Sequence, residues 1–320
     1  MKKNSLTLFN KKGFSIFAFL IIISFLYLNA DSAQATAPNR ISVMSVDANQ
    51  TNPSAYSLDP NYPPDSGYFN AYVRQISPQS NPYVMKIGGD KIVALLDDGT
   101  LLSKDSIYSH WVTQTTGVLW VDVANGGEMM LINEVGNVYS KKGTYDAWVQ
   151  QTSGGGARDI AVTGNGRMMV IDRDRNAYSK DSTYDAWIRQ VNGAYRVTLG
   201  PNGEMGVINT AGNAYSKMNR NDVWLQQTNG GGTSNLEIGG NGRMMVIDAA
   251  GNAYSKESSY STWIRQVNGA IAIDVGSTGR MVVINSDYEV YYKDSPTLDW
   301  NLIYRSNYPY KNYSYWLDIN

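Results

Sequence analysis

Seven aromatic residues recur along the chain, Tyr72, Trp111, Trp148, Trp187, Trp224, Trp263 and Trp300, at steps of 39, 37, 39, 37, 39 and 37 residues. So regular a period marks a repeat architecture, in which one supersecondary unit cannot bury its own faces and must stack on its neighbours. One unit is legible from Asp159 to Gln190. Asp159 to Val162 reads as a short strand closed by the turn Gly164-Asn165-Gly166. Met168 to Ile171 is an apolar run, Ala177 to Lys180 and Trp187 to Gln190 are β-prone, and turn residues separate them. Four short antiparallel strands in about 38 residues is the size of a propeller blade. Helical repeats of similar length need long stretches of 3.6-residue periodicity, which glycine and Asx turns interrupt here about every ten residues. Thirty glycines and 23 tyrosines also suit β-structure better than helix.

The pattern predicts an all-β fold, a seven-bladed β-propeller of four-stranded blades. Six blades run near 83–117, 118–156, 157–193, 194–232, 233–269 and 270–305. The two ends supply the seventh, 40–76 plus 313–320. Ile41 to Asp47 matches a second strand, Ser54 to Leu58 a third, Asn70 to Gln75 a fourth, and Tyr313 to Ile319 a first. Such closure removes the edges that an open row of blades leaves exposed.

Ahead of this domain, residues 38–320, Lys2, Lys3, Lys11 and Lys12 precede an uncharged apolar run from Phe14 to Leu28, and small residues follow at Ala33, Ala35 and Ala37. That order is a secretory signal peptide, 1–37, cleaved after Ala35 or Ala37. The run of 15 residues is shorter than the roughly 20 a spanning helix requires, so no integral membrane segment is expected after cleavage. The chain contains no cysteine, so stability must come from burial and ring closure rather than disulfides. A cysteine-free exported chain with a long lysine-rich leader points to secretion by a Gram-positive bacterium. The leader holds four lysines and one aspartate, leaving 23 basic and 27 acidic residues. No basic stripe survives, which excludes the electrostatic footprint of nucleic-acid binding.

The same two polar residues recur in six of the seven repeats each. A lysine stands seven residues before the anchor at Lys104, Lys141, Lys180, Lys217, Lys256 and Lys293, and a glutamine three after it at Gln75, Gln114, Gln151, Gln190, Gln227 and Gln266. The aromatic anchors read as covers over the seams between blades. The glutamines read as partners for buried backbone groups between blades. Asx residues opening the second hairpin, such as Asp172 and Asp248, read as turn-formers. A lysine and a tyrosine four residues apart share one hairpin at Lys104/Tyr108, Lys141/Tyr145, Lys180/Tyr184 and Lys256/Tyr260. A solvated hairpin with a snorkelling lysine accounts for the pair. The functional alternative is a repeated ligand-binding site, an aromatic platform with a polar donor, which is the combination a sugar needs.

No catalytic set is visible. His110 is the one histidine, and with no cysteine there is neither a transition-metal site nor Cys–His chemistry. No metal and no cofactor is expected. Carboxylate pairs for glycoside hydrolysis remain open, but most acids recur at equivalent places, whereas an active site is a single asymmetric cluster.

The unit Trp263, Gly269, Ile273 to Gly276, Met281 to Ile284 and Tyr292-Lys293 resembles the tectonin and tachylectin-type lectin propellers in spacing. The strand MMVID or MVVIN lacks the Trp-Gly-Val core that tectonin units carry. The resemblance implies a secreted, non-enzymatic, multivalent carbohydrate-binding propeller for glycans or cell-surface glycoconjugates. The alternative is a protein-interaction module, such as an adhesin or toxin-associated subunit, using one rim. A propeller glycosidase or lyase is the third reading.

Overall fold

The apolar runs dictate the architecture. Met129–Asn133, Met168–Ile171, Met205–Asn209, Met244–Ile247 and Met281–Asn285 are buried at four consecutive residues each. A strand with one solvated face alternates, so burial at successive residues requires packing on both faces. That places each run second from the axis of a radial sheet, clamped between neighbouring sheets.

The computed structural model describes residues 82–304, together with the backbone of strands Ile41–Asp47, Ser54–Leu58, Tyr72–Ile76 and Tyr313–Ile319. It is an all-β propeller of four-stranded blades, with each blade an antiparallel meander in sequence order. Blade 1 comprises Pro82–Gly88, Lys91–Leu96, Leu101–Lys104 and Val112–Thr115. Blade 2 comprises Val118–Val123, Met129–Asn133, Val138–Lys141 and Val149–Gln150. Blade 3 comprises Asp159–Val162, Met168–Ile171, Ala177–Lys180 and Ile188–Val191. Blade 4 comprises Ala194–Leu199, Met205–Asn209, Ala214–Lys217 and Leu225–Gln226. Blade 5 comprises Asn235–Ile238, Met244–Ile247, Ala253–Lys256 and Ile264–Val267. Blade 6 comprises Ala270–Val275, Met281–Asn285, Val290–Lys293 and Asn301–Tyr304.

Six blades, rather than the seven expected, are thus described in full. The terminal strands form a further four-stranded sheet in the order Tyr313–Ile319, Ile41–Asp47, Ser54–Leu58, Tyr72–Ile76, described in its backbone alone. The side chain of Tyr72 and the leader expected over 1–37 lie outside the described residues.

Among the described residues, five apolar clusters each span two adjacent blades. Val84, Val93 and Leu95 of blade 1 pack with Val121, Val123, Met129 and Leu131 of blade 2. Ala161, Met169 and Ile171 of blade 3 meet Val197, Met205 and Val207 of blade 4 in the same manner. Full burial of one such side chain contributes about 1.5–3 kcal/mol, so each seam rests on its neighbour's apolar face.

The alternating 37- and 39-residue steps have a structural cause. Blades 1 to 2, 3 to 4 and 5 to 6 are joined by two-residue turns ending in Gly117, Gly193 and Gly269, each at positive φ. Blades 2 to 3 and 4 to 5 are joined by longer connections holding Gly154-Gly155-Gly156 and Gly230-Gly231-Gly232, again all at positive φ. At Gly155 a Cβ would lie 2.3 Å from the Val135 carbonyl oxygen, so the loop closes against the preceding turn only with glycine. The repeating unit is therefore a pair of blades.

Candidate functional site

Each of the six described blades carries a lysine–tryptophan pair, and four of the six lysines also reach a glutamine across the seam in a polar knot. The lysine that ends each third strand is buried, and its Nζ lies 4.7–4.9 Å from the ring centroid of its own blade's tryptophan, from Lys104 over Trp111 to Lys293 over Trp300. A buried ammonium is costly unless its protons are satisfied. Two sets of acceptors satisfy them. Within the hairpin, Lys104 donates to the Ile107 carbonyl at 2.9 Å, Lys180 to Thr183 at 2.8 Å and Lys256 to Ser259 at 3.0 Å. Across the seam, Lys141, Lys180, Lys217 and Lys256 donate to the side-chain oxygens of Gln114, Gln151, Gln190 and Gln227 of the preceding blade. The tryptophan completes the knot: Trp187 and Trp263 Nε1 donate to the backbone carbonyls of Gln151 and Gln227 at 2.9 and 2.8 Å.

Burial lowers the pKa of all six lysines, and in Lys104 and Lys256 to about 8. The other four each have a carboxylate nearby that favours the charged form: Asp146, Asp185, Asp222 and Asp299 beside Lys141, Lys180, Lys217 and Lys293. Blades 1 and 5 carry Ser109 and Ser261 at the position of Asp146, so burial acts there unopposed.

Seams differ by the connection that crosses them. At the longer connections Gln151 and Gln227 are buried and also donate to Ser140 and Ser216 of their own blades. At the short ones a basic residue laces adjacent hairpins. Lys91 meets Asp105 at 2.5 Å and donates to Thr144 of the next blade at 2.6 Å. Arg167 pairs with Asp181 at 2.9 Å and reaches the Gly203 carbonyl at 2.6 Å, while Arg220 of blade 4 returns to Asp181 at 2.8 Å. Arg243 pairs with Glu257 at 2.6 Å and donates to the Asp294 carbonyl at 2.5 Å.

The structure separates the two halves of the expected lysine–tyrosine site. Lys104, Lys141, Lys180 and Lys256 are buried, Lys104 bound to its own hairpin carbonyl and the other three also to the glutamine of the preceding blade. Tyr108, Tyr145, Tyr184 and Tyr260 stand at the hairpin tips, 63, 83, 88 and 80 % exposed. Four-residue spacing places both on one hairpin, but the strand-end lysine takes the seam face while the tip residue turns outward. Blades 4 and 6 carry Asn221 and Thr297 at the tyrosine position, and the exposed apolar residues of their hairpins are Met218, Val223 and Leu298, at 39, 82 and 55 %. Because successive strands run antiparallel, all these hairpins and the first-to-second turns emerge at one end of the ring, hereafter the hairpin rim. His110 is exposed on it.

The other sequence expectations find definite places. Trp148, Trp187, Trp224, Trp263 and Trp300 each pack on the apolar cluster shared with the preceding blade. Asp172 and Asp248 accept N–H bonds from Asn176 and Asn252 at 2.8 Å, closing their own turns.

Two concave features escaped sequence reading. The first strands of all six blades line an axial cavity of about 140 Å³. Lys86, Asp122, Glu237 and Asp274 take equivalent places on its wall, opposite Val93, Met130, Met245 and Val282, and the backbone register sets Asp318 at the same place opposite Ser42. Lys86 and Asp122 lie 3.7 Å apart. Asp159, also on this wall, accepts N–H bonds from Ile160 and Val197 at 3.0 and 2.9 Å, yet burial raises its pKa to about 6 against the opposing pull of Arg196. The second feature is a groove of about 510 Å³ at the seam of blades 4 and 5, where Trp263 and Tyr254 stand beside Gln226, Asn229, Asp248 and the backbone of Gly231.

No protein-family model matches the chain, and no curated protein matches it. Solved structures do match in fold. The chain is similar to human WBSCR16 (12 % identity, TM-score 0.55, 74 % of this chain and 82 % of that one). It is similar also to yeast RCC1 (Prp20) in complex with Kap60 (10 % identity, TM-score 0.54, 81 % and 79 %) and to YCF48 bound to D1 peptide (12 % identity, TM-score 0.51, 75 % and 88 %). At these identities the likeness defines the class, a β-propeller repeat protein, and nothing narrower. Among the described residues no helix is long and apolar enough to cross a membrane.

Two predictions follow from these contacts. In a double-mutant cycle of Lys180→Met and Gln151→Leu, each single change costs about 2–4 kcal/mol because it strands a buried partner, and the double costs less than their sum. Urea unfolding measures this, and additive losses would mean the knot carries no coupling. For Asp159, a folded pKa above the unfolded value of 3.8 means its stability contribution is present at low pH and lost as pH rises through about 6. Asp159→Asn, a mimic of the protonated acid, is therefore favoured over the native residue by about 1–3 kcal/mol more at pH 7.5 than at pH 4. A stability difference that does not change with pH would refute this.

Proposed function

We propose that the protein is a secreted, non-enzymatic interaction propeller that docks a protein partner across its hairpin rim. The observation that carries this reading is the set of exposed apolar side chains on the hairpins, with Tyr108, Tyr145, Tyr184 and Tyr260 at equivalent positions of four blades and Val223 and Leu298 elsewhere on the hairpins of blades 4 and 6. Large aromatic side chains are normally withdrawn from solvent, and a set of them on one face marks an interaction surface. Equivalent positions around a ring let weak contacts sum to useful avidity. The solved propellers that include YCF48 with D1 peptide and RCC1 with Kap60 support a protein partner by analogy of fold.

A second reading, carbohydrate binding, is favoured by the groove of blades 4 and 5, where aromatic rings stand beside amide and carboxylate groups. Its residues recur at the seam of blades 2 and 3 as Gln150, Gln151, Thr152, Gly155, Val170, Asp172, Tyr178 and Trp187, with Ser153 and Ala157 the differing positions. On this reading the sugar would sit on the seam rather than on the tyrosine hairpins.

We also propose that the terminal sheet closes the ring as a seventh blade. Support comes from Tyr313–Ile319, which pairs with Ile41–Asp47 over its whole length and packs against the first strands of blades 6 and 1. Deletion of residues 313–320 opens the ring and exposes two seams, lowering Tm by about 10 °C or more. An unchanged Tm would remove that strand from the closure.

The partner class is tested by binding labelled protein to intact cells stripped beforehand by protease or by periodate. The rim reading predicts loss after protease treatment, and loss in the variant Tyr145→Ala/Tyr184→Ala/Tyr260→Ala at unchanged Tm. Loss after periodate alone, with full binding by the tyrosine variant, would transfer the function to the grooves.

A further inference from the structure

The chemistry of the rim specifies its partner more narrowly. Its exposed charges are eight carboxylates, including Asp146, Asp185, Asp222, Glu257 and Asp299, against a single exposed lysine, Lys142. The remaining basic groups of this end are recessed. The six seam lysines lie under tryptophans, and Arg167, Arg243 and Arg280 are held in ion pairs with Asp181, Glu257 and Asp294. A docking partner therefore meets phenol rings and carboxylates first, while the positive charge behind them is already committed.

The two residue types are also adjacent. Tyr145 precedes Asp146 and Tyr184 precedes Asp185, both exposed at their tips, and Tyr260 shares its hairpin with Glu257. An exposed aromatic face beside a carboxylate is matched by a cation that is both planar and a multiple donor. Guanidinium stacks on the ring and forks onto the carboxylate, whereas ammonium supplies only a strongly hydrated point charge. The aspartates also steady the lysines beneath them, but that role engages them from the seam side and leaves their outer faces exposed.

We infer that the segment docked on the hairpin rim is an arginine-rich stretch of the partner protein, with successive guanidinium groups seated on successive hairpins. This inference rests on the rim reading above. Recessed lysines behind the rim cancel much of the long-range field, so recognition is by contact and depends only moderately on salt.

Fluorescein-labelled nona-arginine, nona-lysine and nona-glutamate, titrated into the purified protein and followed by anisotropy, test it. Nona-arginine binds, nona-lysine binds about three- to tenfold more weakly, and nona-glutamate does not bind. The variant Asp146→Asn/Asp185→Asn/Asp222→Asn keeps an oxygen at each position for the hairpin and weakens nona-arginine by about tenfold, as does the triple tyrosine variant. Absence of nona-arginine binding at 50 mM salt, equal binding of both cationic peptides, or binding that both variants leave intact would each overturn the inference. Cell binding that is lost in the tyrosine variant, yet is indifferent to the aspartate variant and to competing nona-arginine, would retain the rim and refute the arginine-rich partner.

Discussion

The ring depends on a buried ammonium shared between blades. Apolar packing brings adjacent sheets together but is non-directional, and two flat sheets can slide without losing much buried area. The lysine at the end of each third strand removes that freedom. Lys180 is fixed by its own hairpin carbonyl, by the face of Trp187 and by Gln151 of the blade before it. Each contact has a different direction, and together they leave one position for the next blade. Desolvation makes this arrangement exacting, since loss of any acceptor leaves a charge with nowhere to go.

Repetition of that knot is not uniform, and the departures explain the two-blade unit. A short turn brings neighbouring hairpins close enough for Lys91, Arg167 or Arg243 to lace them directly. A longer glycine connection allows Gln151 or Gln227 to sink and bind its own strand's serine. The chain thus alternates two fasteners, one at the rim and one in the seam. The groove of the blade 4–5 seam lies beside such a glycine connection, with Trp263, Tyr254, Gln226 and Gly231 on its wall.

Much of this was legible in the sequence because it repeats. The aromatic period, the apolar second strands and the Asx turns are local signals, and their strands lie close to where the pattern sets them. Tyr313–Ile319 was recoverable as a first strand because a missing element has a known place in a closed ring. The lysines were misplaced for a physical reason. Sequence spacing records that Lys180 and Tyr184 share a hairpin but not which face of the strand each takes. The co-recurrence of lysine, tryptophan and the preceding unit's glutamine was the available signal, since three polar and aromatic residues repeating together across a unit boundary imply mutual contact. The axial wall left no such trace: Lys86, Asp122, Thr198, Glu237 and Asp274 share a place without sharing a chemistry.

That contrast also separates structure from function within the repeat. Residues kept in every described blade, such as the lysine and the tryptophan, answer a demand every seam makes. Residues that vary at equivalent places are released from that demand and can answer to something outside the ring. The hairpin tips are of the second kind, with tyrosine in four blades and Asn221 and Thr297 at the equivalent positions of the other two described blades. Burial against a partner is what would withdraw the exposed tyrosines from solvent. The seam lysine and the tip tyrosine, four residues apart on one hairpin, differ in purpose: the first holds the blade, and the second is held out by it.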